Sequence, residues 1–234
     1  MKTLGLDLGT TSICAVVLEE KSGVLAVKTV QNAAFLPGES WERTQDAAAI
    51  FDIALSLMQE LLEQFPDVSA IGVTGQMHGI LYLDAQGHCV SPLYTWQDGR
   101  ADLPFDETES WAEHLSRLTG YAVSPGYGLA THDYNVNHGL VPENAARFCT
   151  IADYAAMRLA GRTSPLLDAS NAASFGLFDL QGGLFDRDAL RKAGLDTALL
   201  PQVSQTAYLG TGVYGKPVYT AIGDNQAAFL GAVD

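Results

Sequence analysis

Three short strand-like runs followed by one long helical stripe limit the folds open to this chain more than any other feature. Leu4–Leu8, Ile13–Leu18 and Val24–Val30 are short, apolar and rich in β-branched residues, and they are separated only by Gly9-Thr-Thr-Ser12 and Glu19–Gly23. Such spacing predicts an antiparallel meander. Between Gln45 and Phe65 the period changes. Ile50, Phe51, Ala54, Leu55, Met58, Leu61, Leu62 and Phe65 form one helical stripe, with Asp52, Gln59, Glu60 and Glu63 opposite, and Pro66 ends the helix. Val68–Thr74 then reads as a buried strand, parallel to its neighbour through the helical crossover. The expected class is α/β, a mixed sheet that begins as a meander and continues through crossover helices.

Farther along, Ile80–Leu83 and Val90–Thr95 flank Asp84-Ala-Gln-Gly-His88 as a hairpin. A short helix is expected around Glu107–Leu118, then a loop at Ser124–Gly128. A longer helix is expected over Asn144–Leu159, capped by Asn144 and ended before Gly161. Ser174–Leu180 reads as a strand, Asp186–Lys192 as a short helix, Val218–Ile222 as a last strand, and Asn225–Ala232 as the start of a helix.

The chain has 234 residues, 47% hydrophobic and 17% charged, enough to bury a sizeable core and too apolar for wholesale disorder. Its net charge of −14 repels nucleic acid and anionic membranes, so neither is an expected partner. Cys14, Cys89 and Cys149 are widely spaced, and nothing resembles a signal peptide or a membrane helix. A cytoplasmic protein with reduced thiols is expected.

Four segments carry chemistry. In Leu4–Ser12, an apolar strand bearing Asp7 breaks into Gly9, Thr10, Thr11 and Ser12. Turn amides and hydroxyls of this kind cradle phosphate oxygens, and a carboxylate beside them requires a cation such as Mg²⁺. An ordinary hairpin turn uses the same residues. Gly75-Gln-Met-His-Gly79 follows a strand at the carboxyl end, where open α/β sheets bind ligands. Gln76 and His78 suit hydroxyls, and a tight turn with a self-satisfied histidine is the alternative. Trp96-Gln-Asp-Gly-Arg100 offers an aromatic face and polar edges fit for a sugar, or simply an Asp98–Arg100 pair. Gly223-Asp224-Asn225-Gln226 opens a helix, with Asp224 either an N-cap or a rigidly held general base. By contrast, Gly210-Thr-Gly-Val-Tyr-Gly-Lys-Pro217 has proline where a phosphate loop needs Ser or Thr, and a strand where it needs a helix; it is expected to be a turn. His132 and His138 lack metal-ligand spacing.

Taken in order, Leu6-Asp7-Leu8-Gly9-Thr10-Thr11-Ser12, Gly75-Gln-Met-His-Gly79, Trp96-Gln-Asp-Gly-Arg100 and Gly223-Asp224-Asn225 resemble the FGGY carbohydrate kinases, across nearly the whole chain. The second and third motifs look like the ketose branch, which includes xylulokinase and sedoheptulokinase. Tyr127-Gly128, Ala130-Thr131 and Asn171-Ala-Ala-Ser174 before Phe175-Gly176 look more like sedoheptulokinase. The resemblance implies the actin-like, ribonuclease-H-like ATPase lobe, with ATP and Mg²⁺ as cofactors and a ketose as substrate. It implies that Asp224 is the base, Asp7 holds Mg²⁺, and Gly9, Thr10, Thr11 and Ser12 contact phosphates. Gln76, Met77, His78, Trp96, Asp98, Arg100 and Asn225 would line the sugar pocket.

Two departures qualify that picture. Cys14 stands where a basic residue commonly follows the phosphate loop, and family members continue past Asp234 into a second lobe. Residues 1–234 are therefore expected to be the amino-terminal sugar-binding lobe, close to inert without the carboxy-terminal nucleotide lobe as partner. The alternative is an inert sugar-binding or regulatory module, and a homodimer is left open.

Overall fold

The computed structural model describes residues 1–212 and 214–232. Strands β1 (Lys2–Leu8), β2 (Ser12–Glu19) and β3 (Gly23–Gln31) form the antiparallel meander, with Asp7 opposite Cys14 and Leu8 opposite Ile13. Helix α1 (Ala47–Gln64) starts where Asp46 accepts from the amides of Ala48 and Ala49. Its stripe buries Ile50, Phe51, Ala54, Leu57, Met58 and Leu61 among Leu4, Leu6, Ile13 and Val17. Burial of each large apolar side chain there contributes roughly 1.5–3 kcal/mol. Strand β4 (Val68–Gly75) returns parallel to β1, with Asp7 beside Thr74 and Leu8 beside Gly75.

The expected hairpin is present: β5 (Leu81–Leu83) bridges Cys89, and Ile80 exchanges both backbone hydrogen bonds with Tyr94. Helix α2 (Trp111–Thr119) begins later than expected because Ser110 and Glu113 close a capping box. Helix α3 (Gly128–Asn137) occupies a stretch with no helical expectation; its buried face includes Thr131, His132, Asp133 and Asn135, so it presents no apolar stripe to read. The expected helix over Asn144–Leu159 is shorter. Arg147–Cys149 is a strand, β6, paired with β5, and a Thr150–Asp153 capping box starts α4 (Ile151–Leu159) afresh. The expected strand over Ser174–Leu180 is also corrected. Asp168 caps a helix, α5 (Ala169–Ser174), and Phe178–Asp179 alone pairs as strand. Helix α6 (Arg187–Lys192) follows its Asp186 cap.

Strand β7 (Tyr208–Thr211) turns into β8 (Pro217–Tyr219), so the glycine-rich stretch is a hairpin connection; Val213 within it lies outside the described residues. The last expected strand is split, with β9 (Ile222–Gly223) separate from β8 and leading into helix α7 (Asp224–Ala232). The sheet runs β7-β8-β4-β1-β2-β3, and β9 also pairs in parallel with β4. No helix among the described residues is long and apolar enough to cross a membrane.

Candidate active site

Strand register alone brings the two distant acids together. Asp7, Cys14, Thr74 and Ile222 occupy one lateral row across β2, β1, β4 and β9, so their side chains share a face. That face is opposite the one carrying Leu6 and Leu8, and with Gly5 and Ala227 it lines a cavity of about 630 Å³. Asp224 follows Ile222 by two residues, as the chain leaves β9 for α7. Strands β1 and β9 are separated by β4, two strand spacings or about 10 Å. Although Asp7 opens onto the crevice, the protein around its carboxyl raises its pKa, and the charge of Asp224 raises it further. Among the described residues, Asp224 Oδ1 accepts only from the amide of its neighbour Asn225, at 2.8 Å, not from amides deeper in the first turn. Its carboxylate is not used as a helix cap.

The β1–β2 turn is anchored through its carbonyls. Asn32 Nδ2 donates to Gly9 O, Gln45 Nε2 to Thr10 O and the Asn32 amide to Thr11 O, each at 2.9 Å. The amides of Thr10 and Thr11 have no partner among the described residues. A Cβ at Gly9 would stand 2.8 Å from Ser12 O, so only glycine permits a turn this tight. Free turn amides beside a half-enclosed acid fit an ATP phosphate with its Mg²⁺. Among the described residues no three or more His, Cys, Asp or Glu cluster around a metal position.

His78 is the strained residue of the site. It has a left-handed backbone, φ 68°, unusual outside glycine. Ser174 holds it there. The His78 amide donates to Ser174 Oγ at 3.1 Å, and His78 Nδ1 lies 2.8 Å from Ser174 O. A carbonyl only accepts, so Nδ1 carries the proton and Nε2 of the neutral ring is left as an acceptor. The imidazole also stacks on Tyr127, with centroids 4.7 Å apart. The preceding residues are inside the protein. Gln76 is buried, donating to Gln45 Oε1 and accepting from Thr10 Oγ1. Met77 is buried against Gly223, where a Cβ would collide with its Sδ.

The third motif divides. Trp96 is 47% exposed and its Nε1 donates to Thr10 Oγ1 at 2.9 Å, tying this loop to the β1–β2 turn. Asp98 and Arg100 do not reach the crevice: they are 1% and 2% exposed and satisfy one another, with Arg100 Nε 2.6 Å from Asp98 Oδ1. Arg100 also donates to Asn135 Oδ1 and lies 4.1 Å over the Tyr94 ring, while Asp98 accepts from the Arg43 amide. Asp98 and Arg100 therefore form the internal ion pair, while Trp96 keeps an open aromatic face.

Asp7, the turn amides, His78, Trp96, Asp224 and exposed Asn225 therefore face accessible surface, whereas Gln76, Met77, Asp98 and Arg100 support them from within. Sequence reasoning missed Asn32 and Gln45, and it named Tyr127 and Ser174 only within the resemblance, with no role in the site.

A mixed sheet with this meander-then-crossover order is the actin-like ATPase fold. The structure of xylulose kinase from Rhodospirillum rubrum superposes with a TM-score of 0.82 at 24% identity, over 98% of this chain and 50% of that one. Plasmodium falciparum glycerol kinase with ADP gives 0.83 at 18% identity, over 98% and 50%. The model of the FGGY family of carbohydrate kinases, N-terminal domain, matches residues 2–231. Mouse sedoheptulokinase is 34% identical over 260 residues, covering 97% of this chain and 54% of the mouse protein. Xylulose kinase of Escherichia coli is 28% identical over 247 residues, covering 97% and 49%. The chain belongs to the FGGY family of carbohydrate kinases, and it spans about half the length of the curated relatives it matches.

Proposed function

We propose that residues 1–234 are the amino-terminal, sugar-binding lobe of a cytoplasmic, ATP-dependent ketose kinase. Sedoheptulose is the favoured substrate and xylulose the next. The observation that carries this reading is the register that sets Asp7, Thr74 and Ile222 in one row of the sheet, with Asp224 two residues past Ile222 at the same carboxyl end. Two carboxylates left facing each other are costly unless a cation and a proton acceptor's task divide them. In the proposed division, Asp224 accepts the proton of the sugar's terminal hydroxyl, and Asp7 holds the metal. Mg²⁺, when bound, neutralises charge on the ATP phosphates. The amides of Thr10 and Thr11 receive phosphate oxygens, with Gly9 giving the turn its close approach and Ser12 a further hydroxyl. His78 Nε2 accepts from a sugar hydroxyl, Trp96 covers the sugar's apolar face, and Asn225 adds donors at the rim. The carboxy-terminal lobe supplies the adenine site. The apolar sheet face around Gly5 and Val16 and the exposed Phe229 and Leu230 of α7 suit its contact.

In the full-length protein, Asp224→Asn is expected to lower kcat by about 10²–10⁴-fold, the usual worth of a general base. Coupled ADP release with sedoheptulose, xylulose and glycerol measures it; near-normal turnover removes Asp224 from the role, and turnover of glycerol alone removes the ketose assignment. Cys14 favours the alternative, a sugar-binding module without chemistry, because it sits opposite Asp7 where a cation would aid phosphate binding. Sugar-dependent thermal stabilisation with no phosphate transfer by the full-length protein would establish that alternative.

A further inference from the structure

Helix α5 is six residues long, yet one face of it meets both loops of the proposed site. Ser170 and Ser174 are four residues apart, on the same face and about 6 Å apart along the axis. Their hydroxyls are used alike. Ser170 Oγ donates to Asp168 Oδ1 at 2.7 Å and accepts from the Gly223 amide at 3.1 Å. Ser174 Oγ donates to Asn171 O at 2.7 Å and accepts from the His78 amide at 3.1 Å. In each case the proton is committed within the helix or its cap. The lone pair therefore has a fixed direction, toward an amide far away in sequence. One of those amides belongs to the residue before Asp224; the other belongs to the residue with the left-handed backbone, whose ring Ser174 O also fixes. Between the two serines, Asn171 Nδ2 reaches Asp153 Oδ1 at 3.1 Å and, more weakly, Ala221 O at 3.4 Å. Strand β9 has only two paired residues, so its own ladder fixes it weakly.

We propose that α5 is a positioning brace, in which Ser170 sets Asp224 and Ser174 sets His78. The two hydroxyls that hold these amides are then spaced by about one helical turn. The consequences for turnover rest on the ketose-kinase reading, but the brace itself is a property of the backbone. Strain at His78 agrees with it, because a residue in a sparsely populated backbone region persists only when its surroundings over-determine it.

The test uses the full-length protein with Ser170→Ala and Ser174→Ala, assayed by ADP release with the ketose it turns over best. Ser170→Ala is expected to lower kcat by about tenfold or more with sugar KM within about twofold, as for a misdirected base. Ser174→Ala is expected to raise sugar KM by about tenfold with a smaller change in kcat. Ser170→Thr, which keeps the hydroxyl, is expected to restore turnover. A merely structural role would lower the active fraction in both alanine variants without this split. Amide hydrogen exchange reads the brace independently of any reaction. The Gly223 amide is expected to lose protection in Ser170→Ala alone, and the His78 amide in Ser174→Ala alone. Should Ser170→Ala not fold, Ser170→Cys, with its weak acceptor, takes its place. Unchanged exchange at both amides overturns the brace whatever the kinetics, and so does one kinetic pattern shared by both variants. A parent protein inactive on every polyol overturns the kinase reading and leaves the exchange result to decide the brace.

Discussion

The β1–β2 turn and the Trp96–Arg100 loop touch, through Trp96 Nε1 and Thr10 Oγ1, yet they are finished in opposite ways. The turn has its carbonyls anchored and its amides open, and it leads away from an acid whose pKa is raised. The loop folds its acid and its base inward onto each other, with Asn135 and Tyr94 completing the shell. Both read as ligand-binding motifs in sequence. What separates them is satisfaction. A polar group already provided with partners and sealed from water braces the structure, whereas one left open at a crevice is available to a ligand.

The sharpest break would come at the open side. Asp7→Asn in the full-length protein is expected to cost about 10²–10⁴-fold in kcat, since a positioned metal contributes several kcal/mol to charge stabilisation. A rate within threefold of the parent at saturating Mg²⁺ would remove Asp7 as the metal holder. At the closed side, Arg100→Ala strands the buried Asp98 carboxylate and is expected to cost about 3–5 kcal/mol of stability. Thermal unfolding measures this, and sugar affinity per folded molecule is expected to hold. A variant that melts normally but binds sugar tenfold more weakly would mean Arg100 does reach the ligand.

A second sealed acid tests the same rule by pH. Burial raises the Asp153 carboxyl from 3.8 to about 7, and its partners are Thr150 and Asn171. Between those values the folded protein keeps a proton that the unfolded chain has released. The contribution of this carboxyl to stability therefore falls as pH rises from about 4 to about 7 and is flat above, a total on the order of 4 kcal/mol or less. Asp153→Asn, always neutral, is expected to be more stable than the parent at pH 8, and to lose that advantage near pH 4. Melting curves across this range check it. Asn171 Oδ1 has no partner among the described residues, and after a half-turn of its amide a neutral group at position 153 can donate to it.

How much of this was legible in the sequence follows the range of the forces involved. The meander and α1 were readable because periods of two and 3.6 are local and the burial is one-sided. Helix α3 was not, because its buried residues include His132, Asp133 and Asn135 and no stripe forms. Arg147–Cys149 falls inside an expected helix because three residues carry no period; only the partner strand at Leu81–Leu83 distinguishes them. In the site, Asp7 and Asp224 stand out because each lies within one residue of the carboxyl end of a strand. Ser170 and Ser174 do not, since their partners Gly223 and His78 are 53 and 96 positions away. Asp98 and Arg100 were legible as a pair, but burial decides what a pair is for, and no spacing rule reports burial.

Trp96 belongs to both regions at once, and the smallest predicted effect lies there. Its ring is nearly half exposed, while its Nε1 is engaged with Thr10. Trp96→Ala removes the face proposed to cover the sugar and is expected to raise sugar KM by about tenfold, the scale of one lost aromatic contact. Trp96→Phe keeps a face and loses only the N–H, so sugar KM should change by about threefold or less. Thr10 Oγ1 then loses its donor while still donating to Gln76 Oε1, and the turn is left on its Asn32 and Gln45 anchors. If those anchors suffice, KM for ATP stays within about twofold in Trp96→Phe. If it rises as far as sugar KM does in Trp96→Ala, the two regions are not separately finished; the open turn then depends on the loop beside it for its shape.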